Sequence, residues 1–172
     1  MSLEIKTNPE EFRRFHCLLT KQNPNYHPYY FALNSNRKDP IEGVSWKAAR
    51  LSFEDALDKM QRGFNIGIAG TDTDNLVIID IDDLKKVNDS KPTLITKSRK
   101  RIGMHCFYFS EDEKSDNIFV DSAKQNIATE KCGEVRSSWQ YVVVAGSYVP
   151  VDPQEKDDDG NLLMERLSLI HI

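Results

Sequence analysis

Apolar residues at Phe12, Phe15, Leu18 and Leu19 recur at helical spacing behind an Asn8-Pro9 start signal, so residues 8–19 are predicted to form a helix. "YYFAL" (29–33) reads as a strand and leads into the polar turn "NSNRKDPIEG". A second helix is predicted after Ser52, with Asp55 three residues on and an apolar stripe of Phe53, Ala56, Leu57 and Met60, and Gly63 stops it. "NIGIAG" (65–70) and "LVIIDID" (76–82) follow as two short strands joined across the turn "TDTDN". After Asp83 a short amphipathic stretch ends near Asn88. The remainder reads as β at "TLITK" (93–97), "MHCFYF" (104–109), "IFV" (118–120), "GEVRS" (133–137) and "YVVVAG" (141–146).

Helices fall in the first half and strands in the second, which predicts an α+β fold rather than a βαβ array. The β-rich half is expected to form one mainly antiparallel sheet, with the 76–82 strand inside it and the 53–62 helix packed on a face. Val77, Ile79, Ile81, Val142 and Val144 are the expected core positions. The tail "NLLMERLSLIHI" reads as the start of a helix or as a further strand. Either it docks on the sheet or the chain is a piece of something longer.

Composition changes this picture little. At 172 residues the chain suits one domain, 1–172, large enough to bury a core. It is 39% hydrophobic and 29% charged, with no apolar run near the ~18 residues of a membrane span, so no membrane partner is expected. "MSLEIKTNPEEF" lacks the apolar run of a secretory signal. The three cysteines have no motif spacing, which suits a reducing, cytoplasmic setting and predicts no zinc site. A net charge of −4 argues against a wholly basic surface for nucleic acid, although "TKSRKR" (96–101) is locally basic.

The chemistry concentrates at "LVIIDIDD" (76–83), a strongly apolar run with carboxylates at alternate positions. Side chains alternate across a strand, so Asp80 and Asp82 share one face, their Cα atoms roughly 7 Å apart. Unpaired burial of two such carboxylates is costly, and a divalent cation removes that cost. Capping of the following turn is the alternative for an isolated Asp-x-Asp. Glu134 adds a third carboxylate, with Arg136 on its own face; alone, that pair reads as a surface ion pair. His105 opens an apolar strand two residues after Gly103, where a backbone can lie close to a ligand. A core histidine bonded to a carbonyl is the other reading. The basic run 97–101 leads into it, and cations beside a carboxylate-bound metal suit a nucleoside triphosphate.

In this order, Asp80-x-Asp82 at a strand end, Gly103-Met-His105 and a later strand acid at Glu134, the chain resembles the archaeo-eukaryotic primases. "NRKDPIEGVSW", "NIGIAGTDTDNLVIIDIDD" and "GEVRSSWQYVVVAGS" look closer still to the bifunctional primase–polymerase domain of that superfamily, over about 34–148. The resemblance implies an amino-terminal α/β unit packed on an RRM-like, mainly antiparallel sheet, with the active site in the cleft between them. It implies that Asp80, Asp82 and Glu134 hold two Mg²⁺ or Mn²⁺ ions and that His105 contacts the incoming phosphates. Lys97, Arg99, Lys100, Arg101 and Arg136 complete the candidate nucleotide-binding set. The implied activity is nucleotidyl transfer that synthesises or extends primers on a single-stranded nucleic-acid template, with single-stranded DNA as the expected partner. A helicase or helical primer-binding module would be a partner outside the chain. Two other readings stand beside it. One is a non-catalytic single-strand binder that stacks bases on Phe107, Phe109, Trp139 and Tyr141. The other is a metal-dependent nuclease or phosphatase.

Overall fold

The computed structural model describes residues 6–86, 92–99, 102–110, 119–120, 133–152 and 154–170. Helix α1 (Pro9–Gln22) starts where expected: the Asn8 side chain accepts hydrogen bonds from the Glu10 and Glu11 amides, and Pro9 occupies the first turn. Phe12, Phe15 and Leu19 form its buried face. In α2 (Phe53–Gln61) Ser52 Oγ accepts from the Asp55 amide at 3.0 Å and donates to the Asp55 carboxylate at 2.8 Å, a shortened form of the reciprocal cap. The helix ends at Gly63, whose φ of 90° suits a residue without Cβ.

The strands are β1 (Tyr29–Leu33), β2 (Asn65–Ala69), β3 (Leu76–Ile81), β4 (Leu94–Lys97), β5 (Met104–Phe109), β6 (Phe119–Val120), β7 (Gly133–Arg136), β8 (Tyr141–Val143), β9 (Tyr148–Pro150), β10 (Met164–Arg166) and β11 (Leu169–Ile170). They do not form the single sheet expected of the β-rich half. A small sheet has the order β1-β2-β8, a large one the order β11-β4-β5-β3-β7-β6, and β9 with β10 makes a ribbon; all pairings are antiparallel.

The segments "NIGIAG" and "LVIIDID" are therefore not a hairpin, because they belong to different sheets. Strand β2 has β1 and β8 on its two edges, and β3 has β5 and β7, so neither has an edge left for the other. The turn between them is closed by its own side chains: Asp74 Oδ2 accepts from the Thr71 amide and hydroxyl, and its Oδ1 accepts from the Leu76 amide. The return crossing runs beside this one. Gly70 bridges Ser138 in parallel, and the Trp139 amide donates to the Gly70 carbonyl at 2.9 Å.

Three apolar clusters follow from this layering. In the largest, α1 and α2 lie over inward residues of both sheets: Ile66, Ile68 and Val142 from the small one, with Val144 just beyond β8, and Leu76, Ile78 and Phe107 from the large one. Helix α2 packs on β1 and β2 rather than on the sheet that carries Asp80. Val77, Ile81, Met104, Cys106 and Val135 pack on the other face of the large sheet, with Ile79 only partly buried beside them. Tyr29, Phe31, Leu33 and Val143 lead the third cluster, on the far face of the small sheet.

The tail is strand, not helix, and it docks. Strand β11 pairs with β4, the Leu167 carbonyl accepts from the Gly146 amide, and the Leu169 amide donates to Glu11 Oε1 at 2.7 Å. Among the described residues no helix is long and apolar enough to cross a membrane.

Candidate functional site

Along β3 the inward face changes character. Leu76 and Ile78 are fully buried in the main core, and Asp80 follows them two residues later on the same face. The register places His105 of β5 directly opposite Asp80 on one side and Glu134 of β7 directly opposite on the other. One row across three strands thus reads His105, Asp80, Glu134. Neighbouring strands lie roughly 4.7–4.9 Å apart, which fixes the spacing of such a row. Asp82 sits just past the end of β3 and is partly buried. The row opens on a cleft of about 340 Å³ between the two sheets, lined on the large-sheet side by Asp80, Asp82, Arg99, His105, Glu134 and Arg136. Lys38, Tyr141, Val142 and Val143 line it from the small-sheet side.

Gly133 is required for the row. A Cβ there would run into the Asp80 backbone carbonyl, so glycine lets β7 approach β3 next to Glu134. Gly103 has a different role from the ligand approach expected of it. Its bare Cα lies against the Ser98 hydroxyl and the Ile81 carbonyl, closing the loop that enters β5.

Arg136 organises the acids. Its Nε donates to Asp80 Oδ2 at 2.9 Å and its Nη2 reaches Glu134 Oε2 at 3.0 Å. One guanidinium thus spans two carboxylates from neighbouring strands in a partly buried setting, where such charge-assisted bonds are strong. His105 Nε2 lies 3.5 Å from Asp80 Oδ1. Burial is the main reason the His105 pKa is held below the ordinary histidine value; Asp80 acts against that and Arg136 reinforces it. Its Nδ1 is buried without a hydrogen-bond partner among the described residues, as is Thr96 Oγ1 on the strand opposite.

The donor set, three carboxylates on one cleft wall, matches a hard cation such as Mg²⁺ or Mn²⁺ in kind. Among the described residues, however, no three His, Cys, Asp or Glu side chains come together closely enough to hold an ion. Arg136 already bridges two of the acids, so a cation has to displace its guanidinium.

The structure brings Asp80, Asp82, Glu134, His105, Arg99 and Arg136 to one cleft. It does not bring Lys97. In β4 Thr96 faces His105, so Lys97 faces the other way and pairs with Glu165 of β10. Lys100 and Arg101 lie outside the described residues. The sequence reading missed Lys38, although it stands in the Lys38-Asp39-Pro40 stretch that carried part of the resemblance. Lys38 is held below the ordinary lysine pKa, first by partial burial and then by Arg99 and Arg136, with Asp39 and Asp80 acting against them. Of the four aromatics proposed to stack bases, Phe107 is fully buried and Phe109 packs on the core against Tyr26, so neither is placed to do so. No protein-family model matches the chain, and no curated protein matches its sequence.

Proposed function

We propose that this protein is a metal-dependent nucleotidyltransferase of the primase–polymerase kind, acting in the cytoplasm. It would initiate or extend primers on a single-stranded DNA template from nucleoside triphosphates. The observation that carries this reading is the row His105, Asp80, Glu134 in consecutive register, facing a cleft whose other wall supplies Lys38. In this reading the large sheet plays the part of the RRM-like sheet, and the cleft that of the active site.

Asp80, Asp82 and Glu134 are the residues that would hold Mg²⁺ or Mn²⁺; when bound, such ions neutralise phosphate charge and lower the pKa of an attacking hydroxyl. The chain's own residues do the rest. Arg136 releases its two carboxylates and, from the same wall, becomes a cation for the triphosphate. His105, kept neutral by burial, offers an Nε2–H to a phosphate oxygen. Lys38 and Arg99 flank the path of the leaving pyrophosphate, where fixed cations stabilise developing charge. Val142 and Val143 add an apolar patch to the wall that carries Lys38 and Tyr141.

One observation favours a second reading, a non-catalytic single-strand binder. Arg136 already satisfies Asp80 and Glu134 without a metal. Primer extension separates the two. The protein is incubated with a primed template, Mg²⁺ or Mn²⁺, and either deoxyribo- or ribonucleoside triphosphates. Elongated products are expected, lost to background in Asp80→Ala and Asp82→Ala, with weaker nucleotide binding and slower turnover in His105→Ala. Absence of extension under every combination, or full activity in Asp80→Ala, overturns the catalytic reading.

A further inference from the structure

Both tryptophans of the chain, Trp46 and Trp139, lie on the face of the small sheet turned away from the helices. They belong to a continuous line of rings. Tyr141, which lines the cleft, meets Trp46 with ring centroids 5.2 Å apart; Trp46 meets Trp139 at 6.2 Å; Trp139 meets Tyr29 at 5.5 Å. The inner surface of the line is anchored on the core, for Trp46 stacks on Phe31 at 4.8 Å. Gly67, directly across from Phe31, leaves the space in which that ring lies.

The outer surface carries cations. The exposed Lys47 ammonium stands 5.6 Å from the Trp46 centroid and 5.8 Å from that of Trp139, and the Arg50 guanidinium stands 5.5 Å from that of Tyr29. An exposed ammonium over two indole faces means that those faces look outward. Trp139 is also held at an unusual backbone conformation: φ is 54° in a residue with a Cβ, and its indole N–H donates to Asp72 at 2.8 Å. Strain of this kind persists where the surroundings over-determine a position, and it clusters at ligand-contacting sites.

Aromatic faces in series, interleaved with cations and continuous with a cleft, are the pattern that holds a single nucleic-acid strand. Bases stack on the rings, and the ammonium and guanidinium groups follow the phosphates. We propose that the strip from Tyr141 through Trp46 to Trp139, backed by the buried Tyr29, binds single-stranded nucleic acid and leads it to the cleft. The direction of travel rests on the function proposed above; the binding does not. This places strand recognition on the small sheet, not on the large sheet where Phe107 is buried.

The two tryptophans make the test direct. The whole protein is titrated with a twenty-residue oligothymidylate, without divalent metal or nucleotide, while tryptophan fluorescence and oligonucleotide anisotropy are followed at several salt concentrations. Saturable quenching is expected. Lys47→Glu, a change at an exposed side chain, should weaken binding and flatten the salt dependence, by about 0.7 in log–log slope for each phosphate no longer neutralised. Trp139→Leu should weaken binding about fivefold or more, since one base–aromatic stack is removed. Lys59→Glu should leave affinity unchanged, because Lys59 stands over Phe64 at the end of α2, away from the strip. Absence of quenching, wild-type affinity in Lys47→Glu, or an equal weakening in Lys59→Glu overturns the inference. Strand binding that needs Lys47 in a protein that extends no primer overturns the catalytic reading and leaves this one standing. Extension by a protein whose strand binding ignores Lys47 does the reverse.

Discussion

His105 is 6% exposed, and its two ring nitrogens have unequal surroundings. Nε2 faces the Asp80 carboxylate, which can only accept, so in a neutral ring the proton belongs on Nε2 and Nδ1 is left as an acceptor. Directly across from it stands Thr96, whose buried hydroxyl also lacks a partner among the described residues and can donate. A change of rotamer or one bridging water would join the two. Thr96→Val then removes the donor and leaves a buried acceptor, costing about 1–3 kcal/mol. Imidazole ¹⁵N shifts should show the Nε2–H form in the wild type and a mixture in the variant. If Thr96→Val is instead more stable, the two groups do not meet. At this scale the sequence was informative about Asp80, Asp82, Glu134 and His105, because strand alternation gives each a side. It was silent on the pairing of Arg136 with Asp80, which depends on a register between distant strands. It misplaced Lys97 because the parity of β4 relative to His105 is set by that same kind of pairing.

Between α1 and α2 a histidine serves packing. His16 stacks on Phe53 with ring centroids 3.9 Å apart and planes 11° apart, and its Nδ1 shares a hydrogen bond with the buried Tyr30 hydroxyl. Burial holds its pKa below the ordinary value, with Glu54 acting the other way. The folded chain therefore resists a proton that the unfolded chain takes up near pH ~6.5. Stability from this packing is full above that pH, falls as the pH drops through it, and levels off below the lower folded pKa. Urea unfolding at pH 7.5 and 5.5 should show a larger loss in the wild type than in His16→Gln, carboxylate effects being common to both. Equal losses would remove His16 from the helix junction. The helices were legible because their signals are local: Asn8, Pro9 and Ser52 act within one turn. The supposed hairpin of β2 and β3 misled because adjacency in sequence says nothing about which edges other strands will take.

At the level of the whole molecule, β2 and β8 are hydrogen-bonded neighbours, and the large sheet's strands from β3 to β7 lie between them in sequence. The α+β class was readable from the order of elements, but the division into two sheets was not, because "YVVVAG" carries no mark of which sheet it joins. Because the chain leaves and re-enters the small sheet, the two sheets are expected to unfold in one transition. A Cβ on Gly70 would meet the Ser137 carbonyl where the two crossings touch. Gly70→Ala should therefore cost about 1–3 kcal/mol, a fall in Tm of roughly 2–12 °C by calorimetry. An unchanged Tm would show that the crossings are not tightly joined.

That paired crossing has a mechanical consequence. The spacing within the row His105, Asp80, Glu134 is set by strand register and is stiff, whereas the distance from that row to Lys38 and Tyr141 is set where the Trp139 amide meets the Gly70 carbonyl. The seam fastens one wall to the other, and the tail that joins Gly146, Glu11 and β4 fastens them a second time. Because residues of both sheets also share one core under α1 and α2, the two walls form a single body, and a guest meets a gap whose width is fixed before it arrives.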